Sequence, residues 1–136
     1  MIETPDAAMM QPIEQIARFI AAGGDNYSRI FAADGVVILE NFAPHLFCGP
    51  DGVSAWAKAM RDHAKGLEAL VHSFGPAQDF SRDGERAFFC LPTQWRGIAH
   101  GKAFVEDGGW AFLLVRQAGE WRVQSYGWAV TGVRYP

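Results

Sequence analysis

Few side chains in this sequence are of types that move protons or attack carbon, and they are widely spaced. His72 lies in the run Leu70-Val71-His72-Ser73-Phe74, where alternation along a strand puts it on one face with Leu70 and Phe74. An imidazole among apolar neighbours can act as a pocket base or hydrogen-bond donor. It can equally be a surface or core histidine held by a backbone partner. Glu40 and Asn41 close the run Val36-Val37-Ile38-Leu39-Glu40. Apolar neighbours would push a carboxylate there toward its neutral form, whereas a solvated strand end would leave it ordinary. His45 and Cys48 share a loop. A Cys–His pair can make a nucleophile, but three-residue spacing in a loop fixes no geometry and supplies no third orienting group. Cys48 also reads as a small buried hydrophobe. His45, His63, His72 and His100 fall on different elements, so neither a metal site nor a cofactor is expected.

These residues need elements to hold them. Residues 1–11 read as a flexible N-terminal arm, and residues 12–136 as one domain. Pro12 can open a helix that carries Ile13, Ile16, Ala17 and Ile20 on one stripe and stops at Gly23-Gly24. Asp25 could cap a short second helix with Tyr27, Ile30 and Phe31. Residues 36–40 read as a strand and 41–50 as an irregular loop. A third helix is expected over 51–65, its apolar stripe marked by Val53, Trp56, Ala57, Met60 and Ala64. Strands follow: 68–81, interrupted near Gly75-Pro76, then a turn with a DG signal at Asp83-Gly84, then 86–96, where Pro92 suggests an edge or a bulge. His100 is most simply a turn residue and His63 plain surface.

The sheet ends in a hairpin, AFVEDGGWAFLLVRQAGEWRVQSYGWAV, which turns at Gln117-Ala118-Gly119-Glu120. Trp110, Phe112 and Leu114 share one face of its first arm, and Ala111, Leu113 and Val115 the other. Both faces are apolar, so both should meet something. Trp110, Phe112 and Leu114 are expected on the outer face, buried across the two-fold axis of a homodimer. Trp95, Trp110, Trp128, Tyr126 and the Phe88-Phe89 pair would serve as core, as interface or as the wall of a flat apolar ligand site.

Composition excludes several function classes. A chain of 136 residues, 49% of them hydrophobic, can bury a core without disulfides. Cys48 and Cys90 therefore read as reduced thiols. A net charge of −3 without basic runs argues against nucleic acid as a partner. No apolar run approaches membrane-spanning length, and the acidic N-terminus has no signal-peptide character, so a cytoplasmic location is expected.

The order of elements resembles the NTF2-like superfamily, in particular its SnoaL-like and ketosteroid-isomerase-like branch. The segments that carry the resemblance are GGDNYSRIFAADGVVI, GPDGVSAW after a loop, DGERAFF and FLLVRQAGEWRV. The resemblance implies an α+β fold: a cone-shaped, curved, mostly antiparallel sheet wrapped around N-terminal helices, open at an apolar pocket, with subunits pairing through outer sheet faces. Isomerase-like members use a carboxylate base, which falls here at Leu39 with Glu40 next to it. Their oxyanion donors fall at Leu113 and near Ala17. All three matched positions are apolar, so such chemistry needs Glu40 turned inward. Dehydratase-like members use a His that matches His72 and a Tyr-Asp pair that falls at Ala21-Ala22. Their second His has no counterpart among Thr93, Gln94 and Trp95.

Two functions fit. One is a cofactor-independent isomerase- or lyase-like enzyme for a small cyclic or aromatic metabolite, with His72 and Glu40 catalytic and Asn41, His45, Trp56, Leu113 and Trp95 at the ligand. The other is a non-catalytic module that binds a small apolar molecule or a partner.

Overall fold

The computed structural model describes residues 3–136. Its first helix, α1, spans Ala7–Ala22 and buries Met9, Pro12, Ile13, Ile16, Ala17 and Phe19 on one stripe. This corrects the expected flexible arm: residues 7–11 are helical, residues 3–6 lead into the helix, and residues 1–2 lie outside the described residues. The start is set by Asp6, whose side chain accepts the Met9 amide hydrogen at 2.9 Å. Pro12 therefore sits inside the helix rather than at its opening, where its missing N–H costs one intrahelical bond. Burial of Met9 and Ile13 offsets that loss. Replacing Asp6 with Ala is expected to destabilise the fold by about 1 kcal/mol, read as a lower urea midpoint at unchanged slope.

Asp25 does not cap a second helix. The chain makes only a 3-10 turn at Ser28–Ile30, without a side-chain cap, and Asp25 pairs with Arg61 at 3.3 Å. The other helix, α2, spans Gly52–Ala64 and buries Trp56, Ala57 and Met60. No helix among the described residues is long and apolar enough to cross a membrane.

Among the described residues, seven strands form one sheet: β1 (Val37–Leu39), β2 (Leu46–Cys48), β3 (Leu67–Phe74), β4 (Gln78–Asp83), β5 (Arg86–Ala99), β6 (Lys102–Gln117) and β7 (Glu120–Arg134). They run in the order β2-β1-β7-β6-β5-β3, with β4 pairing β5 as well. The β1–β7 pair is parallel and the others are antiparallel. Part of the stretch read as an irregular loop thus forms β2, a strand at the sheet edge. Two tight turns fold the long strands back, His100-Gly101 with φ of 52° and 76° and Ala118-Gly119 with φ of 51° and 79°. Positive φ at both central residues matches the twist of a hairpin. Pro92 sits within a central strand. Its carbonyl accepts from Gly75 N–H, so its missing donor falls where the chain passes from β3 to β4.

The helices cover one face of this sheet, with α1 packed on β7, β3 and α2. Trp110, Phe112 and Leu114 point into that layer and are 2%, 0% and 0% exposed within a single chain. Their expected place on the outer face is therefore corrected: all three are already buried within one chain and present no surface to a second subunit. The outer face of β6 belongs instead to Ala111, Leu113 and Val115, which are half-buried.

Candidate active site

Alternation along β1 buries Ile38 and leaves Val37 and Leu39 exposed; one step further, it turns Glu40 inward. No bulge is needed. Leu39, at the position matched to the isomerase base, is 50% exposed, while Glu40 is only 7% exposed. Buried carboxylates need donors, and Glu40 has two. Trp56 Nε1 of α2 donates to its Oε2 at 3.0 Å, and the Tyr126 hydroxyl of β7 donates to the same oxygen at 2.5 Å. Oε1 accepts no hydrogen bond among the described residues. Burial raises the carboxyl above its ordinary value, and the bonds from Tyr126 and Trp56 pull the other way. The Tyr126 phenol is raised well above its own by burial and by the neighbouring Glu40, so it stays protonated and remains a donor.

Replacing Tyr126 with Phe removes one of the two bonds that favour the ionised carboxylate. The Glu40 pKa is expected to rise further, read by carbon NMR of labelled glutamate. Stability at neutral pH is expected to fall by about 1.5–3 kcal/mol, the range for hydrogen bonds to charged groups.

Glu40 lines a cavity of about 300 Å³ between helices and sheet. Ile20, Met60, Leu67 and Leu70 give it an aliphatic side, and Trp95, Phe104, Trp110 and Trp128 an aromatic one. Asn41, Phe42, His63 and Tyr135 stand around it, and Glu106 projects into it from β6. The His63 ring stacks on Phe42 with centroids 4.4 Å apart, and burial holds its pKa below the ordinary histidine value. Burial raises the Glu106 carboxyl.

The structure brings together Glu40, Asn41 and Trp95 at this cavity, with Trp56 directly behind Glu40. It separates the other candidates. His72 is on the inner side of β3 but does not line the cavity. Its Nε2 pairs with Glu14 Oε2 of α1 at 2.9 Å, and its ring sits beside Phe74 and Trp95. His45 is exposed, with Nδ1 3.1 Å from the Glu40 backbone carbonyl. Cys48 is exposed as well. Leu113 is on the outer side of β6. Among the described residues, no group of three His, Cys, Asp or Glu side chains is placed to hold a metal ion.

Sequence reasoning named Tyr126 only as a possible aromatic wall and missed it as the donor to Glu40, and it missed Glu106 and His63. The signal for Glu106 was present: steps of two from Trp110 through Gly108 reach it on the same strand face.

No family model and no curated protein matches the sequence. Solved structures match over nearly the whole chain. A hexachlorocyclohexane dehydrochlorinase, LinA type 2, aligns with a TM-score of 0.78 at 10% identity, covering 96% of this chain and 87% of that one. A protein assigned as a scytalone dehydratase from Novosphingobium aromaticivorans aligns at 0.74 and 11% identity, over 95% and 85%. A protein assigned as a ketosteroid isomerase from Shewanella frigidimarina aligns at 0.69 and 19%, over 91% and 96%. The fold is NTF2-like. That fold places its cavity between sheet and helices here, with Glu40 at the end of β1 on its wall. At these identities the likeness concerns the NTF2-like fold alone, and what the cavity does must be argued from its own residues.

Proposed function

We propose that this protein catalyses proton transfer at carbon on a small, largely apolar ring compound, with Glu40 as general base. The observation that carries the reading is the state of Glu40. It is a buried carboxyl on the wall of the cavity, held by two donors on one oxygen, while the other oxygen accepts no hydrogen bond among the described residues. A base is most effective when its pKa lies near the working pH, and burial moves Glu40 in that direction. Trp56 and Tyr126 are positioning residues that fix the carboxylate plane and leave Oε1 to approach the substrate. The matched structures are named for dehydrochlorination, dehydration and isomerisation, and each of these reaction types removes a proton from carbon. In an isomerisation Glu40 would return the proton to another carbon. In an elimination a leaving group would depart instead.

The test is a screen in deuterated water. Cyclic enones, cyclic hydroxyketones and halogenated rings are incubated with the protein and analysed by mass spectrometry. Deuterium uptake or loss of the leaving group with the wild type, and its collapse in Glu40→Gln, is the expected result. Exchange that persists in Glu40→Gln would remove Glu40 from the mechanism. Saturable binding without exchange would instead favour the non-catalytic module, which the two internal donors to Glu40 also suit, since they would stabilise a purely structural carboxylate.

A further inference from the structure

We propose that the cavity takes an organic cation, a ring-sized amine or quaternary ammonium compound whose charge is met by Glu106 and Glu40 and whose body lies against the aromatic wall. Among the described residues, two carboxyl groups line the cavity and neither a lysine nor an arginine does. His63, which also lines it, is held toward its neutral form. Lys102 comes within 5.5 Å of the Tyr135 ring but is not part of the lining.

Glu106 is the more telling of the two acids. It is half-buried, flanked across the sheet by Trp95 on β5 and Val133 on β7. Its side chain has no hydrogen bond or ion pair among the described residues. Its neighbour Asp107, which alternation points to the other face, takes Arg134 at 2.9 Å and Gln94 at 2.9 Å. The chain thus supplies partners to the outward acid and none to the inward one. A carboxylate in an apolar wall is costly without a counter-charge, and a bound cation would provide it.

The rest of the wall suits the same ligand. The faces of Trp95, Trp110 and Trp128 attract cations, most strongly where water is excluded. The volume of about 300 Å³ holds about ten non-hydrogen atoms at roughly the volume of a liquid water molecule each, enough for one substituted ring.

The inference rests on the cavity being the ligand site that Glu40 serves. Calorimetric titration at pH 7.5 compares cyclohexylmethylammonium and benzyltrimethylammonium with neutral cyclohexylmethanol and anionic cyclohexanecarboxylate. Both cations are expected to bind about ten-fold or more tightly than the alcohol, and the carboxylate not to bind. Ten-fold corresponds to about 1.4 kcal/mol. In Glu106→Gln the preference should shrink below about three-fold, with the affinity for the alcohol unchanged. Equal or tighter binding of the alcohol or the carboxylate, binding of neither cation, or an undiminished preference in Glu106→Gln would overturn the proposal. The exchange screen with Glu40→Gln reads the proton-transfer reaction separately. Loss of cation preference with Glu40-dependent exchange intact would sink only the ligand class. Cation preference without exchange would sink only the reaction.

Discussion

Glu40→Gln is expected to abolish most of the exchange activity while leaving the fold intact or firmer. Removing a positioned general base costs about 10²–10⁴-fold in rate. Gln keeps the shape of the side chain, and its amide oxygen can still accept from Trp56 and Tyr126. The structural cost is therefore small, whereas a neutral amide cannot take a proton from carbon. The stability effect has a definite sign. Folding raises the Glu40 pKa above its ordinary 4.5, so the native state holds that proton more tightly than the unfolded chain. Stability from this group is then greatest below the ordinary carboxylate range and declines as pH rises through the raised value. Gln removes the decline, so the variant should gain on the wild type from about pH 4.5 upward and level off once Glu40 is ionised. In the wild type the exchange rate should rise over the same window. Urea melts and rate profiles from pH 4 to 8 measure both. A variant that loses stability at neutral pH would mean that Glu40 is held mainly as a structural anion.

How far the sequence revealed this site depended on how each strand keeps its phase. In β1 the run Val-Val-Ile-Leu-Glu is apolar on both faces, so hydrophobicity cannot say whether Leu39 or Glu40 points inward. The β1–β7 register decides it, pairing Ile38 with Tyr126. In β6 the grouping of Trp110 with Phe112 and Leu114 was legible, but its side was not, because Ala111, Leu113 and Val115 are apolar too. The helices cover the bulkier set. In β7 strict alternation fails. A register shift lies opposite Leu113 and Leu114, which pair with Ser125 and Val123. The extra residue, Gln124, reverses the parity, so Val123 and Tyr126 are both buried. Strict alternation would put Tyr126 on the face opposite Val123, so the donor to Glu40 cannot be found from spacing alone.

The α+β order and the antiparallel hairpins, by contrast, were legible from turn residues and periodicity, because Asp83-Gly84 and Ala118-Gly119 mark their own positions. His72 shows the limit of a matched position. Alternation groups it with Leu70 and Phe74 but does not say which way that face points. Yet Glu14 of α1 reaches it first, and a helix–strand contact of that kind leaves no trace in local spacing.

Trp110→Ala is expected to destabilise each chain by about 3–5 kcal/mol, the range for a fully buried Trp truncated to Ala. Trp110 stands at the centre of the aromatic layer. Its ring lies 4.9 Å from Phe112, 5.6 Å from Tyr126, 5.9 Å from Trp128 and 6.4 Å from Trp95. Gly108 on the same strand face lets the Trp128 ring approach so closely that a Cβ there would sit 2.3 Å from it. A layer fitted this tightly cannot collapse onto the void left by an indole. The void would also open into the existing cavity, which Trp110 already lines, and admit water beside Glu40. Thermal unfolding should drop by on the order of 10 °C for a chain of this size. The loss should be the same at any protein concentration, because the lost contacts lie within one subunit. A loss that grows on dilution, with little change in the stability of the separated chain, would instead place Trp110 at a subunit interface and overturn the assignment of β6's inner face.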